Sequence, residues 1–100
     1  MMLNINRKIE NGKAVFILEG RLDTVTAPQM EGAIKEVLPE LCELTFDFKN
    51  LEYISSAGLR VLLSAQKAMN MQGKMKLFNV NETIMEIFEV TGFSDILTIE

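Results

Sequence analysis

The sequence predicts an α/β fold, with a mixed, mostly parallel sheet of four to five strands, an N-terminal hairpin and about three packed helices. Three observations support this prediction. The dipeptide Asn11-Gly12, which tolerates positive φ at both positions, separates two β-like segments. Strand-like apolar segments then alternate with segments of helical periodicity. Finally, 48% of the 100 residues are hydrophobic, enough for one core. We therefore expect a single domain over residues 1–100.

The N-terminal segments have the composition of two strands. In residues 3–9, Leu3, Ile5 and Ile9 alternate with polar residues, which is typical of a strand with one solvent-facing side. Residues 14–18 are continuously apolar and predict a strand buried on both faces. Residues 20–25 are expected to form a loop.

The first helix is predicted from the sequence Thr26-Ala27-Pro28-Gln29, which is typical of a capping box. In that motif Thr26 caps the helix and Gln29 reaches back to the Thr26 backbone. Proline is tolerated in a first helical turn, and Pro39 marks the end of the helix. One helix face carries the apolar residues Ala27, Met30, Ala33, Ile34, Val37 and Leu38.

The second half of the chain continues the alternation. Residues 44–48 predict a strand, a short polar connection follows, and residues 56–71 predict a helix that stops at Gly73. Residues 74–80 predict the next strand, and Asn81 is expected to cap a third helix that ends at Gly92. Residues 96–99 are compatible with a short final strand.

Ser55 and Ser56, at the start of the second helix, are the candidate functional residues. Unpaired backbone N–H groups and the helix dipole favour negative charge there, so a serine at this position is suited to carry a phosphate. The alternative is purely structural, with one serine capping the helix. Gly58 has two interpretations as well. It either lets another surface approach closely or packs tightly against a neighbouring strand or loop.

Composition argues against several classes of function. A net charge of −4 with scattered basic residues disfavours direct nucleic-acid binding. The chain has no histidine and a single cysteine, Cys42, so we expect no zinc site, no histidine-based catalysis and no disulfide within the chain. Cys42 is interpreted as a small packing residue. No phosphate-binding glycine motif or nucleophile elbow is present. We expect neither an enzyme nor a cofactor.

The N-terminus lacks the long apolar run of a signal peptide, and no segment approaches the ~20 apolar residues of a membrane span. We therefore expect a cytoplasmic protein with no membrane insertion. We also expect a monomer, because an acidic single domain with polar helix faces offers no obvious surface for self-association; the alternative is pairing through an exposed edge strand.

Several motifs in order resemble one known family. These are Gly20-Arg21-Leu22-Asp23 after an early strand, Thr26-Ala27 at the first helix, and Phe46-Asp47-Phe48 as a "Leu-Asp-Leu" strand. Residues 53–59, Tyr-Ile-Ser-Ser-Ala-Gly-Leu, resemble a switch segment that is commonly Asp-Ser-[Ser/Thr/Ala]-Gly-Leu, and residues 88–97 match a closing pattern. In order and spacing, nearly the whole chain resembles an anti-sigma factor antagonist, the stand-alone form of the STAS domain.

The resemblance implies a mechanism. An unphosphorylated antagonist binds an anti-sigma factor, which is a serine kinase, and thereby frees a sigma factor for transcription. The kinase phosphorylates the switch serine, which is Ser56 when the motif is aligned on Gly58, and a metal-dependent phosphatase reverses this. The resemblance also places Asp23, Ser55, Ala57 and Gly58 at the switch and partner-binding surface. From the residues alone, Asp23 has the alternative role of a solvated turn residue or of a local hydrogen bond at the entry of the helix.

The chain departs from the family motif at one position. Ser55 occupies the place of the common aspartate, which leaves two adjacent hydroxyl groups and removes a carboxylate beside the phosphoacceptor. A second function therefore stays open. The chain could be a STAS-type structural or regulatory subunit of a transport or signalling assembly in which no phosphorylation occurs.

Overall fold

The sheet has four strands in the order in which they occur along the chain. The computed structural model describes residues 2–100. The sheet consists of β1 (Leu3–Glu10), β2 (Lys13–Leu22), β3 (Glu43–Ile54) and β4 (Lys74–Phe78). β1 pairs antiparallel with β2, whereas the β2–β3 and β3–β4 pairs are parallel. The mixed, mostly parallel sheet with an N-terminal hairpin is therefore confirmed.

Three α-helices connect or follow the strands, as predicted. They are α1 (Ala27–Val37), α2 (Ser56–Gln72) and α3 (Glu82–Thr91). Short 3₁₀ turns at Leu38–Glu40 and Phe93–Asp95 follow α1 and α3. The parallel pairs require crossover connections, and α1 and α2 provide them between β2 and β3 and between β3 and β4.

The β1–β2 hairpin turns at the predicted dipeptide. Asn11 and Gly12 have φ angles of 50° and 78°, the left-handed conformation that a tight two-residue turn requires. Glu10 pairs with Lys13 on either side of this turn. The turn therefore fixes the register of the hairpin. The register in turn determines which face of β1 points toward the core.

β2 is longer than expected and is fully buried on only one face. The strand continues to Leu22, so the prediction of a loop from residue 20 was wrong for its first three residues. Phe16 and Leu18 are buried, whereas Val15 and Ile17 on the other face are only partly covered. The extension exists because β3 pairs with this part of β2, and Leu22 lies opposite Ile54.

β3 extends through the segment that was expected to be a polar connection. Its buried residues are Leu44, Phe46, Phe48, Leu51 and Ile54, so the spacing changes from two residues to three. Two register shifts against β2 cause this change, since β3 inserts an extra residue at each of them. These bulges bring Ile54 into the core. Ile54 ends β3, and α2 begins two residues later at Ser56.

The hydrophobic core lies between one face of the sheet and the helices. Four aromatic rings form a continuous row through it, with centroid separations of 5.5, 6.4 and 6.3 Å; they belong to Phe16, Phe46, Phe48 and Phe88. Met30 and Ile34 of α1 and Leu62 of α2 are buried in the same core. Burial of these residues supplies the main driving force for packing the helices on the sheet.

The C-terminal segment makes one bridge to the sheet. Ile99 pairs with Leu77, and the Leu77 backbone exchanges hydrogen bonds of 2.9 Å with Thr98 and Glu100. Residues 96–99 therefore do not form the short strand considered above.

Cys42 is exposed, so its assignment as a packing residue was wrong. No helix within residues 2–100 has the length and apolar character needed to cross a bilayer.

Candidate functional site

Ser55 is the N-cap of α2. Its backbone is extended, with φ −100° and ψ 175°, and its Oγ accepts a hydrogen bond from the Gly58 N–H at 3.4 Å. Its carbonyl oxygen accepts from the Leu59 N–H at 2.9 Å, as the first bond of the helix. Both oxygen atoms of Ser55 thus serve to begin α2.

Ser56 is the first residue of α2, and it is exposed. Within the described part of the chain, no hydrogen bond engages its hydroxyl group. The structure therefore separates the two adjacent serines by their surroundings. Ser55 is half-buried and bonded to the helix, whereas the Ser56 hydroxyl is available to solvent.

Gly58 packs directly on the ends of β2 and β3. A Cβ atom at this position would lie 2.8 Å from Leu22 Cγ, 2.9 Å from Ile54 Cγ1 and 3.0 Å from the Leu22 carbonyl oxygen. These distances are shorter than ordinary van der Waals contacts. The interpretation of Gly58 as a close packing contact with neighbouring strands is therefore supported, and the contact fixes the start of α2 against the sheet.

Asp23 follows β2 and organises the loop that leads into α1. Its Oδ1 accepts hydrogen bonds from the N–H groups of Val25 at 3.0 Å and Thr26 at 3.1 Å. The Thr26 N–H bond is the main reason that the pKa of the Asp23 carboxyl lies below its usual value. The Asp23 carbonyl oxygen also accepts from the Ala27 N–H at 2.8 Å.

The capping box predicted at Thr26 is absent. Thr26 Oγ1 accepts from the Asp23 N–H at 2.9 Å and donates to the Arg21 carbonyl oxygen at 2.7 Å. Gln29 donates to the Leu3 carbonyl oxygen at 3.0 Å and does not return to Thr26. Asp23 Oδ1 binds the Thr26 N–H, which Gln29 would bind in a capping box, and Thr26 Oγ1 is bonded back to residues 21 and 23, so neither bond of the box forms.

A cation–π pair adjoins this loop. The Arg21 guanidinium carbon lies 4.2 Å from the centre of the Tyr53 ring, and Arg21 Nε lies 3.7 Å from Asp23 Oδ2. Arg21 and Tyr53 are paired residues of β2 and β3. Sequence reasoning did not identify this pair, because it depends on a strand register that two bulges have shifted.

A shallow cleft of about 240 Å³ lies beside Ser56, between the first turns of α1 and α2. Its lining includes Ala57, which is half-buried, and the exposed residue Arg60. The loop residue Val25, next to Thr24 in the cleft wall, is 84% exposed. Arg60 was not singled out from the sequence, although its spacing of four residues from Ser56 would have indicated a common helix face.

The candidate residues are thus brought to one end of the sheet. Asp23 and Ser55 follow the paired strand ends Leu22 and Ile54, and Gly58 packs on both of those ends. The STAS domain model matches residues 4–100. The chain belongs to the STAS domain family. The resemblance inferred from the sequence motifs is therefore confirmed.

Individual STAS relatives carry names consistent with the same resemblance. The chain is 27% identical over 100 residues to the anti-sigma-B factor antagonist of Bacillus subtilis, covering 99% of this chain and 92% of the relative. It is 33% identical over 91 residues to the putative anti-sigma factor antagonist BtrV of Bordetella bronchiseptica, covering 89% of this chain and 78% of BtrV.

Solved structures share the fold. A crystal structure of an anti-sigma factor antagonist from Mycobacterium paratuberculosis superimposes with a TM-score of 0.87 at 21% identity, covering 97% of this chain and 84% of that one. The Bacillus cell fate determinant SpoIIAA in its phosphorylated form superimposes with a TM-score of 0.77 at 18% identity, covering 97% and 91%. At these identities the structures establish the STAS fold of this chain.

Proposed function

We propose that this STAS protein is an anti-sigma factor antagonist that is switched off by phosphorylation of Ser56. In the unphosphorylated state it binds an anti-sigma factor and thereby releases a sigma factor for transcription. The observation that carries the proposal is the exposed hydroxyl of Ser56, which no hydrogen bond within residues 2–100 engages, at the first position of α2 beside the Asp23 loop. The names of the relatives described above support the same function.

Ser56 is the better phosphoacceptor of the two serines. A kinase must approach the oxygen that accepts the phosphoryl group, and Ser55 Oγ is half-buried and hydrogen-bonded to the Gly58 N–H. Phosphorylation of Ser55 would therefore remove a helix cap, whereas phosphorylation of Ser56 leaves that cap intact. Ser55, which replaces the common aspartate of the family motif, lacks the carboxylate but still caps α2.

The chemistry belongs to the partners and not to this protein. The anti-sigma factor acts as a serine kinase and transfers the γ-phosphoryl group of its bound ATP to Ser56 Oγ, with loss of the hydroxyl proton and formation of ADP. A metal-dependent phosphatase hydrolyses the resulting phosphate ester and restores the hydroxyl. The STAS protein itself is a binding protein that needs no cofactor.

Phosphorylation of Ser56 is expected to change binding and not folding. The phosphate adds nearly two negative charges, which the N-terminus of α2 tolerates because helix N-termini favour anions. At an interface the same charges must be desolvated against the partner, which is costly unless they are paired. Support for an effect on binding comes from the exposed position of Ser56 and from the cleft lined by the neighbouring residue Ala57.

Mass spectrometry of the protein and its bound partners tests the function directly. The protein is purified from its own host with phosphatase inhibitors, together with the partners that remain bound. Trypsin releases residues 50–60 as one peptide that contains both serines, and fragmentation assigns the phosphate. Phosphate on Ser56, with a kinase-type partner that the phosphorylated form no longer retains, is the expected result. An unmodified peptide in all growth conditions, with a transport or scaffold protein bound, would instead support the alternative of a structural subunit.

Two matched charge substitutions are compared by their affinity for the purified partner. Ser56→Asp is expected to weaken binding more than tenfold, equivalent to about 1.4 kcal/mol. Thr83→Asp places the same charge in the first turn of α3 and should leave binding unchanged. Ser56→Ala should remain bound even with ATP present. Equal affinity of the wild type and Ser56→Asp would contradict the proposed switch.

A further inference from the structure

Arg60 differs from the other two arginines in its surroundings. Arg7 donates to the Ala33 carbonyl oxygen at 3.0 Å, and Arg21 lies against Asp23 and Tyr53. Arg60 is exposed, and among residues 2–100 no carboxylate oxygen lies within 4.0 Å of its guanidinium group. Its planar set of donors is therefore available to a new anionic partner.

Ser56 and Arg60 stand on the same face of α2. A separation of four residues in an α-helix places two side chains about 5–6 Å apart at their Cβ atoms. Arg60 lines the cleft that begins at Ala57, beside Ser56. A phosphate on Ser56 Oγ extends from the start of that face, and the Arg60 side chain is long enough to reach it. Arginine and phosphate groups form short, charge-assisted and frequently bidentate hydrogen bonds.

We propose that Arg60 binds the phosphate of phosphorylated Ser56 within the same helix. This inference deepens the proposed function, since it depends on a phosphate at Ser56. The consequence is that phosphorylation changes the charge of the surface in two ways. It adds negative charge at Ser56, and it also removes an exposed cation from the cleft wall where a partner would dock. Glu31 lines the same cleft, but its carboxylate lies 3.9 Å from Lys35 Nζ and is not paired with Arg60.

The test uses protein with phosphoserine incorporated at position 56 by genetic encoding, so that no kinase is required. Nitrogen-15 NMR follows the side-chain N–H group of Arg60. We expect its resonance to shift and its exchange with water to slow when Ser56 carries phosphate. An Arg60 resonance that is the same in the two forms would overturn the proposal.

A thermodynamic cycle provides the second measurement. We compare the factor by which phosphorylation lowers the unfolding equilibrium constant. This factor is expected to be about fivefold larger for the wild type than for Arg60→Gln. Lys67→Gln, which removes a cation from an exposed position two turns further along α2, should respond to phosphorylation as the wild type does. Arg60→Lys should recover only part of the difference, because lysine keeps the charge without the bidentate geometry. Equal responses of Arg60→Gln and Lys67→Gln would contradict the pairing.

The outcomes separate this inference from the proposed function. If the phosphorylated protein loses its partner although Arg60 does not bind the phosphate, the switch stands and the pairing is wrong. If Arg60 binds the phosphate and the partner still binds with unchanged affinity, the pairing stands and the switch is wrong.

Discussion

The backbone N–H of Ser55 donates a hydrogen bond of 2.9 Å to the carbonyl oxygen of Leu22. Leu22 ends β2 and immediately precedes Asp23, whereas Ser55 caps α2 and precedes Ser56. One backbone bond therefore joins the Asp23 loop to the residue that begins the second helix. The position of the Ser56 hydroxyl is set by this junction and not by α2 alone.

The first prediction concerns packing at this junction. Gly58→Ala should lower the free energy of unfolding by about 1–3 kcal/mol, because the new Cβ atom would overlap Leu22 and Ile54. Helix propensity alone predicts the opposite, a gain of about 1 kcal/mol. Chemical denaturation of the purified variant measures the sign of the effect.

Gly32 provides the matched control for this substitution. It lies in α1, and apart from its chain neighbours and the backbone of that helix no atom of the described residues lies within 4 Å of an added Cβ. Gly32→Ala should therefore raise the free energy of unfolding by up to about 1 kcal/mol through helix propensity. Stabilisation by both alanine substitutions would show that Gly58 does not pack as closely as described.

The second prediction separates the roles of the two serines. Ser55→Ala should lower the free energy of unfolding by about 0.5–1 kcal/mol, because it removes the acceptor of the Gly58 N–H. Ser56→Ala should change it by less than about 0.5 kcal/mol, since the hydroxyl is exposed. Thermal or urea unfolding measures both, and Ser55→Asp should keep the cap. A larger loss for Ser56→Ala would reverse the assignment.

The third prediction is a dependence of stability on pH through Asp23. Its pKa is lowered in the folded protein, chiefly by the Thr26 N–H, so the folded state binds this proton less tightly than the unfolded chain. The stabilisation is fully present above the unfolded pKa of about 3.9 and is lost as the pH falls through the lower, folded pKa.

Asp23→Asn tests this dependence. The difference in unfolding free energy between the wild type and Asp23→Asn should be largest near neutral pH and should shrink at pH 3. Asp95→Asn, which removes an exposed carboxylate in the distant 3₁₀ turn, reports the general effect of losing one negative charge. A difference that stays constant from pH 7 to pH 3 would count against the Asp23 contacts.

The fourth prediction concerns Gln66, which is only 5% exposed in α2. Its Nε2 donates to Asn70 Oδ1 at 2.9 Å, but its Oε1 is buried without a donor among the described residues. Gln66→Leu should raise the free energy of unfolding by about 1 kcal/mol, because it replaces an unsatisfied buried acceptor with an apolar group of similar size. Denaturation experiments compare it with Gln66→Ala, which should be destabilising because it leaves a cavity. A destabilising Gln66→Leu would show that Oε1 has a hydrogen-bond donor.

Local sequence determined most of the elements of this protein. Asn11-Gly12 predicted the hairpin, and Asn81 predicted the start of α3, where its Oδ1 accepts from the Ile84 N–H at 2.9 Å. The paired serines marked the start of α2. These features are predictable because turn conformations and helix caps depend on residues only a few positions apart.

Other features were decided by tertiary structure. The second half of β3 lacks alternation because two bulges insert extra residues, and only pairing with β2 makes it a strand. The capping box at Thr26 failed because Asp23, held after the extended β2, binds the Thr26 N–H, while Thr26 Oγ1 is bonded back to residues 21 and 23. Likewise, the two serines carry the same side chain, and only packing at the ends of β2 and β3 leaves Ser56 exposed while it commits Ser55 to the helix. The sequence determined which local structures could form, whereas long-range pairing determined where each strand ended and which hydroxyl faced the solvent.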